Sequence, residues 1–557
     1  MSPPWSPPPD RSDDVPMWAD AVVVGSGPNG LVAANLLADA GWAVVVLEAA
    51  DRPGGAVRTA EVTAPGFAND LFSAFYPLAA ASPVVAALGL TAHGLEWVHA
   101  PDVLANPTPD GPSVVLSRDL GTTSASLDAF AVGDGAAWGD LYGRWADTSG
   151  PITRALFTPF PPLRAAAELT LRLRTEGLLE MARTAVLPVR RLAEETFSGA
   201  GGGLLLAGNA LHADLSPESA GSALFGWLLA SLGQHVGFPV PRGGAGRLTA
   251  ALVDRVRSRG GRVCTGCRVR RVRVDGGRAV GVEGEGGLAV GARRAILADV
   301  GAPQLYLSLL ETSDVPARVL RDIARFQYDT GTVKVDWAVE GPIPWLDPAV
   351  GRAGTVHLAD SMDQLSRYAH ELATARVPSE PFVLMGQMTT TDPTRSPPGT
   401  ESAWGYTHVP SAPRDDAGEG VDGGWTPERT ARVVERLEAM VERHAPGFRD
   451  RILARHVMGP PELEREDPNL VGGAINGGTA QIHQQLVFRP TVGWGRPETH
   501  VAGLFLASAS AHPGGGVHGA PGANAARAAL WANRRRRVLA SFRSLAPGGG
   551  PGEGRIP

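Results

Sequence analysis

The sequence predicts an α/β protein in which one domain is assembled from separate stretches of chain and a second domain is interleaved with it. A β-branched run at 20–24 leads into a glycine turn at 25–30, a helix-forming segment at 31–40 and a second apolar run at 43–47. Strand, glycine turn, helix and strand within about 30 residues are the signature of a dinucleotide-binding βαβ unit. We therefore expect a Rossmann-like domain at the start of the chain.

Two further observations indicate that this domain is discontinuous. The segment 112–240 has a helical texture, and in 163–192 Leu, Ala and Met recur at three- and four-residue spacing among Arg and Glu. A strand, a glycine-rich turn and a helix follow one another again between 503 and 533. The predicted boundaries place 19–111, 241–305 and 495–535 in the first domain, 112–240 and 306–494 in a substrate domain, and 1–18 and 546–557 in disordered tails.

Alternating valines predict further strands. Between 262 and 282 they flank an Asp-Gly-Gly turn at 275–277, which is typical of a hairpin. A buried strand is expected at 295–300, and the run at 332–339 predicts a strand of another sheet. The substrate domain should therefore combine a mixed sheet with helices.

The composition excludes several classes of protein. The chain has 557 residues, of which 43% are hydrophobic and 19% charged, and its net charge is −6. A sizeable core is available, and no nucleic-acid partner is expected. Two cysteines cannot form a disulfide framework, and 1–14 lacks the basic start and apolar run of a secretory signal. We therefore expect a cytoplasmic protein.

Two long stretches, 71–95 and 219–241, contain no Asp, Glu, Lys or Arg. Prolines interrupt the first, and Gly, Ser, Gln and His dilute the second, so neither is a continuous apolar helix of membrane-spanning length. Both are interpreted as buried walls. The amphipathic segment 163–192 is expected to present a solvated face, with peripheral contact at a membrane surface as the alternative.

The glycine turn and the carboxylate after the second strand form the first candidate binding site. Gly25 allows a tight turn, Gly27 lets the backbone approach a pyrophosphate, and Gly30 lets the helix pack on the strand. The helix N-terminus offers N–H groups to the anion, and Glu48 lies where a carboxylate accepts both ribose hydroxyls. A glycine-rich turn without a ligand is the weaker alternative in this context.

A second glycine pair, Gly54-Gly55, follows just beyond the carboxylate. At this point the chain resembles the FAD-dependent amine oxidase and phytoene desaturase superfamily, whose members carry such a pair. In many members the next residue is Arg, whereas this chain has Ala56, so Arg52 and Arg58 are alternatives for a phosphate contact; we take Arg58 as the candidate.

The resemblance extends over most of the chain. The segments 241–246, 261–282 and 298–299 look like the middle FAD-domain segment of the superfamily, and 503–525 looks like its C-terminal flavin loop. The order of GGAVRT, VKVDWAV, QQLVFRP and AHPGGGVHGAPG is most similar to the phytoene-desaturase-like subgroup that includes pyridine nucleotide-disulfide oxidoreductase domain-containing protein 2. The resemblance implies FAD as cofactor, bound through Gly25, Gly27, Gly30, Glu48, Gly54, Gly55, Arg58, Val269, Gly515, Gly516 and Val517, with His512 and Lys334 as catalytic candidates.

Lys334 is the one lysine among 51 basic residues. Its surroundings are similar to a substrate-domain strand of monoamine and polyamine oxidases, in which a lysine holds a water against flavin N5. A compact ammonium there would stabilise charge on reduced flavin or position water or O2. The alternative is a strand lysine paired with Asp336 or solvated.

Other residues have weaker claims to a chemical role. His512 and His518 flank the C-terminal glycines, with His483, Arg489 and Trp494 before them, and for each a structural role is at least as frequent as proton transfer. Cys264 and Cys267 form a C-x-x-C that lies in a hairpin, so a redox role is disfavoured. No metal site is predicted, and without a second complete Gly-x-Gly-x-x-Gly no NAD(P)H is required.

These features together predict an α/β flavoprotein with a discontinuous Rossmann-like FAD domain and an interleaved mixed-sheet and helical substrate domain. FAD would take a hydride from an apolar, isoprenoid or polyene-like substrate, with O2 or a quinone as the electron acceptor. The alternatives are a flavin amine oxidase that uses Lys334 and a non-catalytic lipid- or prenyl-binding protein on the same fold. The sequence leaves the oligomeric state open.

Overall fold

The computed structural model describes residues 13–109, 111–418 and 423–545. Two seven-stranded sheets carry the architecture, and helices cover them. The strands, in chain order, are β1 Trp18–Val24, β2 Val44–Leu47, β3 Thr59–Ala60, β4 Asn69–Asp70, β5 Trp97–Val98, β6 Asp102–Asn106, β7 Val114–Leu116, β8 Val240–Pro241, β9 Arg262–Cys264, β10 Val269–Asp275, β11 Arg278–Gly284, β12 Ala289–Ala298, β13 Gly331–Glu340, β14 Ala353–Leu358, β15 Arg376–Val377, β16 Val383–Gln387, β17 Thr400–Val409, β18 Asp415–Asp416, β19 Ile452–Met458 and β20 Leu504–Leu506.

The α-helices vary from single turns to more than seven turns. Many begin at a proline or just after a glycine, as expected where the chain turns into a helix. In chain order they are α1 Pro28–Asp39, α2 Pro77–Ala81, α3 Pro83–Ala87, α4 Leu120–Asp128, α5 Asp134–Leu156, α6 Leu163–Thr184, α7 Val189–Thr196, α8 Ala200–Leu211, α9 Ser222–Val236, α10 Gly246–Ser258, α11 Ala302–Gln304, α12 Ala317–Ile323, α13 Met362–Ala373, α14 Met388–Thr391, α15 Pro427–His444, α16 Pro460–Glu466 and α17 Ala520–Leu545.

The first sheet is the predicted dinucleotide-binding sheet. Its strand order is β10-β11-β12-β1-β2-β9, and β20 pairs with β12 off this path. The pairs of β1 with β2 and β12, of β2 with β9 and of β12 with β20 are parallel. One face of β1 and β2 packs against α1, α10 and α17, and the other face belongs to a separate apolar cluster. Burial on both faces explains why these strands are continuous apolar runs.

The second sheet has the order β19-β13-β17-β16-β14-β6-β7. Along its central strand β13, Val333, Val335, Trp337 and Val339 belong to the apolar cluster that also contains residues of α15. Because side chains alternate along a strand, Thr332, Lys334 and Asp336 lie on the opposite face. That polar face bears on the site described below.

The charge-free stretches come together in the helical region. Helices α8 and α9 pack on one another, and α2 packs on α9. The backbone N–H of Tyr76 donates to the carbonyl of Pro239 at 2.8 Å, which fixes the two stretches to each other. Among the residues that the structure describes, no helix has the length and apolar composition needed to cross a membrane.

Some predicted boundaries were wrong. Strand β6 lies within the predicted first domain but pairs with β14, so it belongs to the second sheet. Strand β9 pairs with β2, because α10 returns the chain parallel to the first sheet, and the hairpin therefore begins only at Val269. The predicted tail 1–18 is attached to the first sheet from Asp13, whose N–H donates to Val263. Residues 1–12 and 546–557, the remainder of the two predicted tails, lie outside the described residues.

Candidate flavin-binding site

The glycine turn between β1 and α1 is packed too tightly for side chains. Gly25 has φ +95°, in the left-handed region, and a Cβ at Gly30 would clash with the carbonyl oxygen of Gly25. A Cβ at Gly27 would lie 2.7 Å from the carboxylate of Asp299. The predicted tight turn and close helix–strand packing are therefore present, and the side chain of Asp299 lies against the turn.

The Glu48 carboxylate lies at the end of β2 beside this turn. Its Oε2 accepts hydrogen bonds from the backbone N–H of Ser26 at 2.9 Å and from the Ser26 hydroxyl at 2.6 Å. Its Oε1 accepts from the backbone N–H of Ala50 at 2.9 Å. Three donors hold the carboxylate in one orientation next to the turn, where it could accept ribose hydroxyls.

The second glycine pair closes over the first turn. Gly54 has φ +124° and donates its N–H to the carbonyl of Ser26 at 3.1 Å, and a Cβ at Gly55 would lie 3.2 Å from the Cα of Gly27. Arg58 donates from Nε to the Gly55 carbonyl at 3.0 Å, whereas Arg52 is exposed. Of the two arginine alternatives, Arg58 is the one that the structure attaches to the turn.

Asp299, at the carboxyl end of β12, lies beside the turn and was named from the sequence only as part of the family-like segment 298–299. Its Oδ2 accepts a hydrogen bond from the N–H of Gly30 at 2.7 Å, so one donor of the helix N-terminus is already occupied. Burial raises the pKa of this carboxyl to about 8, helped by the nearby charges of Asp467 and Glu48. The protonated, neutral acid is therefore favoured beside the glycine turn.

The C-terminal glycine loop lies between β20 and α17. A Cβ at Gly515 would lie 2.5 Å from the carbonyl oxygen of Asn476, and one at Gly516 would lie 2.7 Å from the side chain of Leu78. Val517 packs half-buried against the apolar cluster of the first sheet. The loop therefore approaches both the first domain and the helical region.

A family model described as flavin containing amine oxidoreductase matches residues 29–530 of the chain. This chain belongs to that family. FAD is its cofactor, and it is an FAD-dependent oxidoreductase of the amine oxidase and desaturase kind, as the resemblance had implied.

Individual proteins similar to this oxidoreductase agree with that assignment. Pyridine nucleotide-disulfide oxidoreductase domain-containing protein 2 of Mus musculus is 29% identical over 91% of this chain and 92% of its own. A limonene dehydrogenase subunit of Castellaniella defragrans is 24% identical over 91% of this chain and 94% of its own. A crystal structure of an oxidoreductase from Methanosarcina mazei shares the fold, with a TM-score of 0.59 and 16% identity over 92% of this chain and 100% of that one.

The site fits FAD because buried polar atoms beside the glycine loops have no hydrogen-bond partner in the part of the chain that the structure describes. Asn29 in the first turn of α1 and Asn524 near the start of α17 are both buried. Oδ1 of Asn29 and both polar atoms of the Asn524 side chain have no hydrogen-bond partner among the described residues. The two helices touch here, since a Cβ at Gly522 would overlap the Asn29 carbonyl. A ribityl hydroxyl of FAD could donate to either Oδ1, and a ribityl or phosphate oxygen could accept from Nδ2 of Asn524.

Val269 and the cysteine pair belong to the chain segment whose backbone is hydrogen-bonded to that of Glu48. The Glu48 N–H donates to the carbonyl of Cys264 at 2.8 Å, and the Cys267 N–H donates to the carbonyl of Glu48 at 2.7 Å. Val269 is buried and begins β10. Burial raises the pKa of the Cys264 thiol to about 12 and also raises that of Cys267, so neither thiol is activated. This backbone positions Glu48 and leaves no indication of redox chemistry.

His512 is held as a neutral ring. Its Nε2 lies 3.1 Å from the carbonyl oxygen of Thr158, and burial is the main reason that its pKa falls to about 4. His518 is buried too, and its pKa is also lowered to about 4, chiefly by burial. Neither ring gains a charge near neutral pH, which favours positioning over proton transfer.

Arg489 anchors the loop that meets the C-terminal glycines. Its guanidinium is fully buried and donates to the carbonyls of Thr479 at 2.9 Å and of Ala509 at 2.8 Å, as well as to those of 476–478. Burial lowers its pKa to about 10, so it still carries a positive charge at neutral pH. The sequence indicated Arg489 only as a residue that precedes the C-terminal glycines, and this anchoring role was not predicted.

Lys334 lies on the polar face of the second sheet, 4% exposed. Its Nζ is 2.6 Å and 2.5 Å from the two carboxylate oxygens of Asp336, which is 1% exposed. Across the strand it neighbours Tyr406, whose ring is stacked on Trp404 with centroids 5.8 Å apart. The structure therefore contains the ion pair between Lys334 and Asp336, which was the alternative to a flavin contact. The same face of the sheet also carries aromatic residues.

Proposed function

We propose that this oxidoreductase is a dehydrogenase that removes hydrogen from an apolar, isoprenoid or polyene-like substrate. Bound FAD supplies the oxidant, which accepts a hydride from a substrate carbon. The residues of the chain bind the substrate, orient it and exclude water. The family assignment favours an enzyme over the non-catalytic lipid-binding alternative.

The observation that carries the proposal is a group of partly buried apolar side chains, the apolar wall, in the cluster that reaches the C-terminal glycine loop. Leu78, which lies against Gly516, packs in the same cluster as Phe75, Leu224 and Leu228 of the two charge-free stretches. These side chains are half-buried rather than fully packed. A wall of this kind supplies van der Waals contact and few hydrogen bonds, which suits a hydrocarbon.

The relatives give independent support for an isoprenoid substrate. The similarity to the limonene dehydrogenase polypeptide covers 91% of this chain, and that protein is named for a hydrocarbon built from isoprene units. An amine oxidase remains the second candidate, because the description of the family names amine oxidoreductases. In addition, Lys334 lies beside Tyr406, whose ring is stacked on that of Trp404.

Delivery of such a substrate favours a peripheral position at a membrane. Helix α6 exposes Leu163, Leu171 and Leu179, with exposed fractions of 72%, 82% and 67%. Arginines accompany these leucines along the helix, including Arg172. Leucines with neighbouring arginines suit the headgroup region of an anionic bilayer. A cytoplasmic enzyme docked in this way could pass electrons from flavin to O2 or to a membrane quinone.

A charge placed in the wall tests the proposal. Leu228→Glu should abolish the perturbation of the flavin absorption spectrum that limonene or a longer isoprenoid hydrocarbon causes in the holoenzyme. Leu171→Glu, on the exposed face of α6, is the matched control and should leave that perturbation unchanged. If Leu228→Glu binds the hydrocarbons as wild type does, the wall is not the substrate site.

A further inference from the structure

A second buried titratable group lies close to the flavin site. Asp214 follows the end of α8 with φ +56°, a left-handed conformation that is uncommon outside glycine. Its Oδ1 accepts a hydrogen bond from the Thr330 hydroxyl at 2.7 Å and lies 3.3 Å from Nε2 of His408. The other oxygen, Oδ2, is buried and has no hydrogen-bond partner among the described residues.

Asn476 connects Asp214 to the C-terminal glycine loop. Its backbone N–H donates to Asp329 at 2.8 Å, its side chain lies beside Asp214, and its carbonyl faces Gly515. Asp329 also accepts hydrogen bonds from the backbone of Ile475 and Gly478, which shapes this loop. The free oxygen of Asp214 is therefore one residue removed from the loop assigned to flavin.

The apolar wall reaches the same point. Ala213, directly before Asp214, packs in the cluster that contains Leu78, Leu224 and Tyr406. A hydrocarbon lying along this wall would end beside a carboxylate. That is unexpected in an apolar site unless the carboxylate takes part in the reaction.

We propose that Asp214 is the catalytic base that takes the proton from the substrate during dehydrogenation. This inference rests on the proposed function. One C–H bond gives its hydride to FAD, the oxidant. The C–H bond on the adjacent carbon breaks, its proton passes to Oδ2 of Asp214, and its electron pair becomes the new C=C bond. The carboxyl then releases the proton when flavin is reoxidised.

The environment suits this role near neutral pH. Burial raises the pKa of Asp214 to about 7, against the Thr330 hydroxyl and the nearby amide of Asn476, which lower it, and burial together with the charge of Asp214 raises the pKa of Asp329. A base with a pKa near the working pH is the most effective one. Burial lowers the pKa values of the His408 and His212 rings, which favours their neutral forms. The other titratable or charged groups of this neighbourhood are His357, Tyr368, Tyr406 and Arg489.

The groups predicted from the sequence are poorly placed for this step. Lys334 is bound by both oxygens of Asp336, and Nε2 of His512 faces a carbonyl. Asp214 combines a buried oxygen that has no hydrogen-bond partner among the described residues, a second carboxylate nearby and a connection to the glycine loop through Asn476. No spacing in the sequence points to it, because α8, the start of β13 and the end of β17 bring its partners together.

The test compares Asp214→Asn with a matched buried carboxyl. Glu401 is also buried, with a pKa raised by burial to about 7, but it accepts hydrogen bonds from Thr389 and Thr390 elsewhere in the second sheet. In the wild-type holoenzyme, the infrared absorption of protonated carboxyl groups should contain a component that disappears as the pH rises through about 7. That component should be absent from Asp214→Asn. Glu401→Gln should remove a different component. A titrating band identical in wild type and Asp214→Asn would overturn the proposal.

Anaerobic flavin reduction by an isoprenoid hydrocarbon gives the second readout. The wild-type rate should rise with pH through about pH 7, and Asp214→Asn should be slower by about 100- to 10,000-fold with that rise absent. Glu401→Gln should keep both the rate and the rise. Thr330→Val, which removes a bond that lowers the Asp214 pKa, should shift the rise to higher pH.

The outcomes separate the two proposals. If hydrocarbons reduce wild type and Asp214→Asn equally fast, the base is wrong and the proposed function stands. If hydrocarbons do not reduce wild-type flavin, the proposed function fails, and the infrared titration still decides whether Asp214 is the group that ionises near pH 7.

Discussion

The carboxylate oxygen Oδ2 of Asp299 lies 2.7 Å from the backbone nitrogen of Gly30, across 269 residues of sequence. This bond joins the carboxyl end of β12 to the first turn of α1, beside the glycine turn that we expect to bind flavin. It places a buried acid where the helix dipole stabilises negative charge and where burial opposes it.

Asp299 should make stability fall as the pH rises. Its pKa in the folded protein is raised to about 8, above the value of about 4 usual for an exposed aspartate, so the native state holds a proton that the unfolded chain releases. The resulting stabilisation is complete below about pH 4 and is lost as the pH rises through about 8. Asp299→Asn should flatten the decline in unfolding free energy between about pH 5 and pH 8, measured by urea unfolding. An unchanged slope would contradict this account of Asp299.

Glu48→Ala should weaken FAD binding without unfolding the protein. The variant loses a carboxylate that Ser26 and Ala50 hold in position, and the loss of hydrogen bonds to a charged group corresponds to about 10- to 100-fold in the dissociation constant. Fluorescence titration of the FAD-free protein measures the change. Glu61→Ala, an exposed carboxylate on the following segment, should bind FAD as wild type does. If Glu48→Ala binds FAD with the same affinity as wild type, Glu48 is not part of the FAD-binding site.

Lys334→Met should lower the unfolding free energy of the protein, and this loss has to be corrected before its effect on flavin reoxidation is measured. Removing the ammonium leaves Asp336 buried without its cation, which costs about 3–5 kcal/mol of unfolding free energy. Lys334→Met/Asp336→Leu should recover most of that loss, as seen in thermal unfolding. Flavin reoxidation by O2 is then compared between the double variant and wild type. Equal rates would show that Lys334 serves the ion pair alone.

Arg489→Gln should release the loop between α16 and β20. Several backbone carbonyls would lose a charged donor inside the protein, each at about 1–3 kcal/mol when left unsatisfied. We expect a lower thermal midpoint and weaker FAD retention on gel filtration. Arg496→Gln, an arginine that is 63% exposed in the same segment, should change neither property. Full FAD retention in Arg489→Gln would contradict an anchoring role.

The parts of the fold that depend on local sequence could be predicted. The unit from β1 to β2, the β10–β11 turn at Gly276 and Gly277, and strand β13 follow from β-branched runs and glycines with positive φ, all encoded within a few residues. The segment of β6 was assigned to the first domain and β9 to the hairpin, because their partners, β14 and β2, are distant in sequence. Pairing of that kind leaves no local pattern.

The site could be predicted only where glycines mark it. Asp299 was not selected as a site residue, although an aspartate at the carboxyl end of a predicted strand beside the glycine turn is a usable signal, since parallel strands end at the same edge of a sheet. Asp214 gives no such signal, because Thr330 and His408 reach it from two other elements. Lys334 was selected for its rarity and for the resemblance of its strand to one in monoamine and polyamine oxidases, and the structure contains the alternative, its ion pair with Asp336.

The reduction of bound flavin by substrate tests the central claim most directly. Purified holoenzyme is mixed anaerobically with limonene, with a long acyclic polyene in detergent, and with primary amines and polyamines, and the visible flavin absorption is followed. The account predicts bleaching by the isoprenoid hydrocarbons and none by the amines. Bleaching by an amine, with the hydrocarbons inert, would contradict it and establish the amine oxidase alternative.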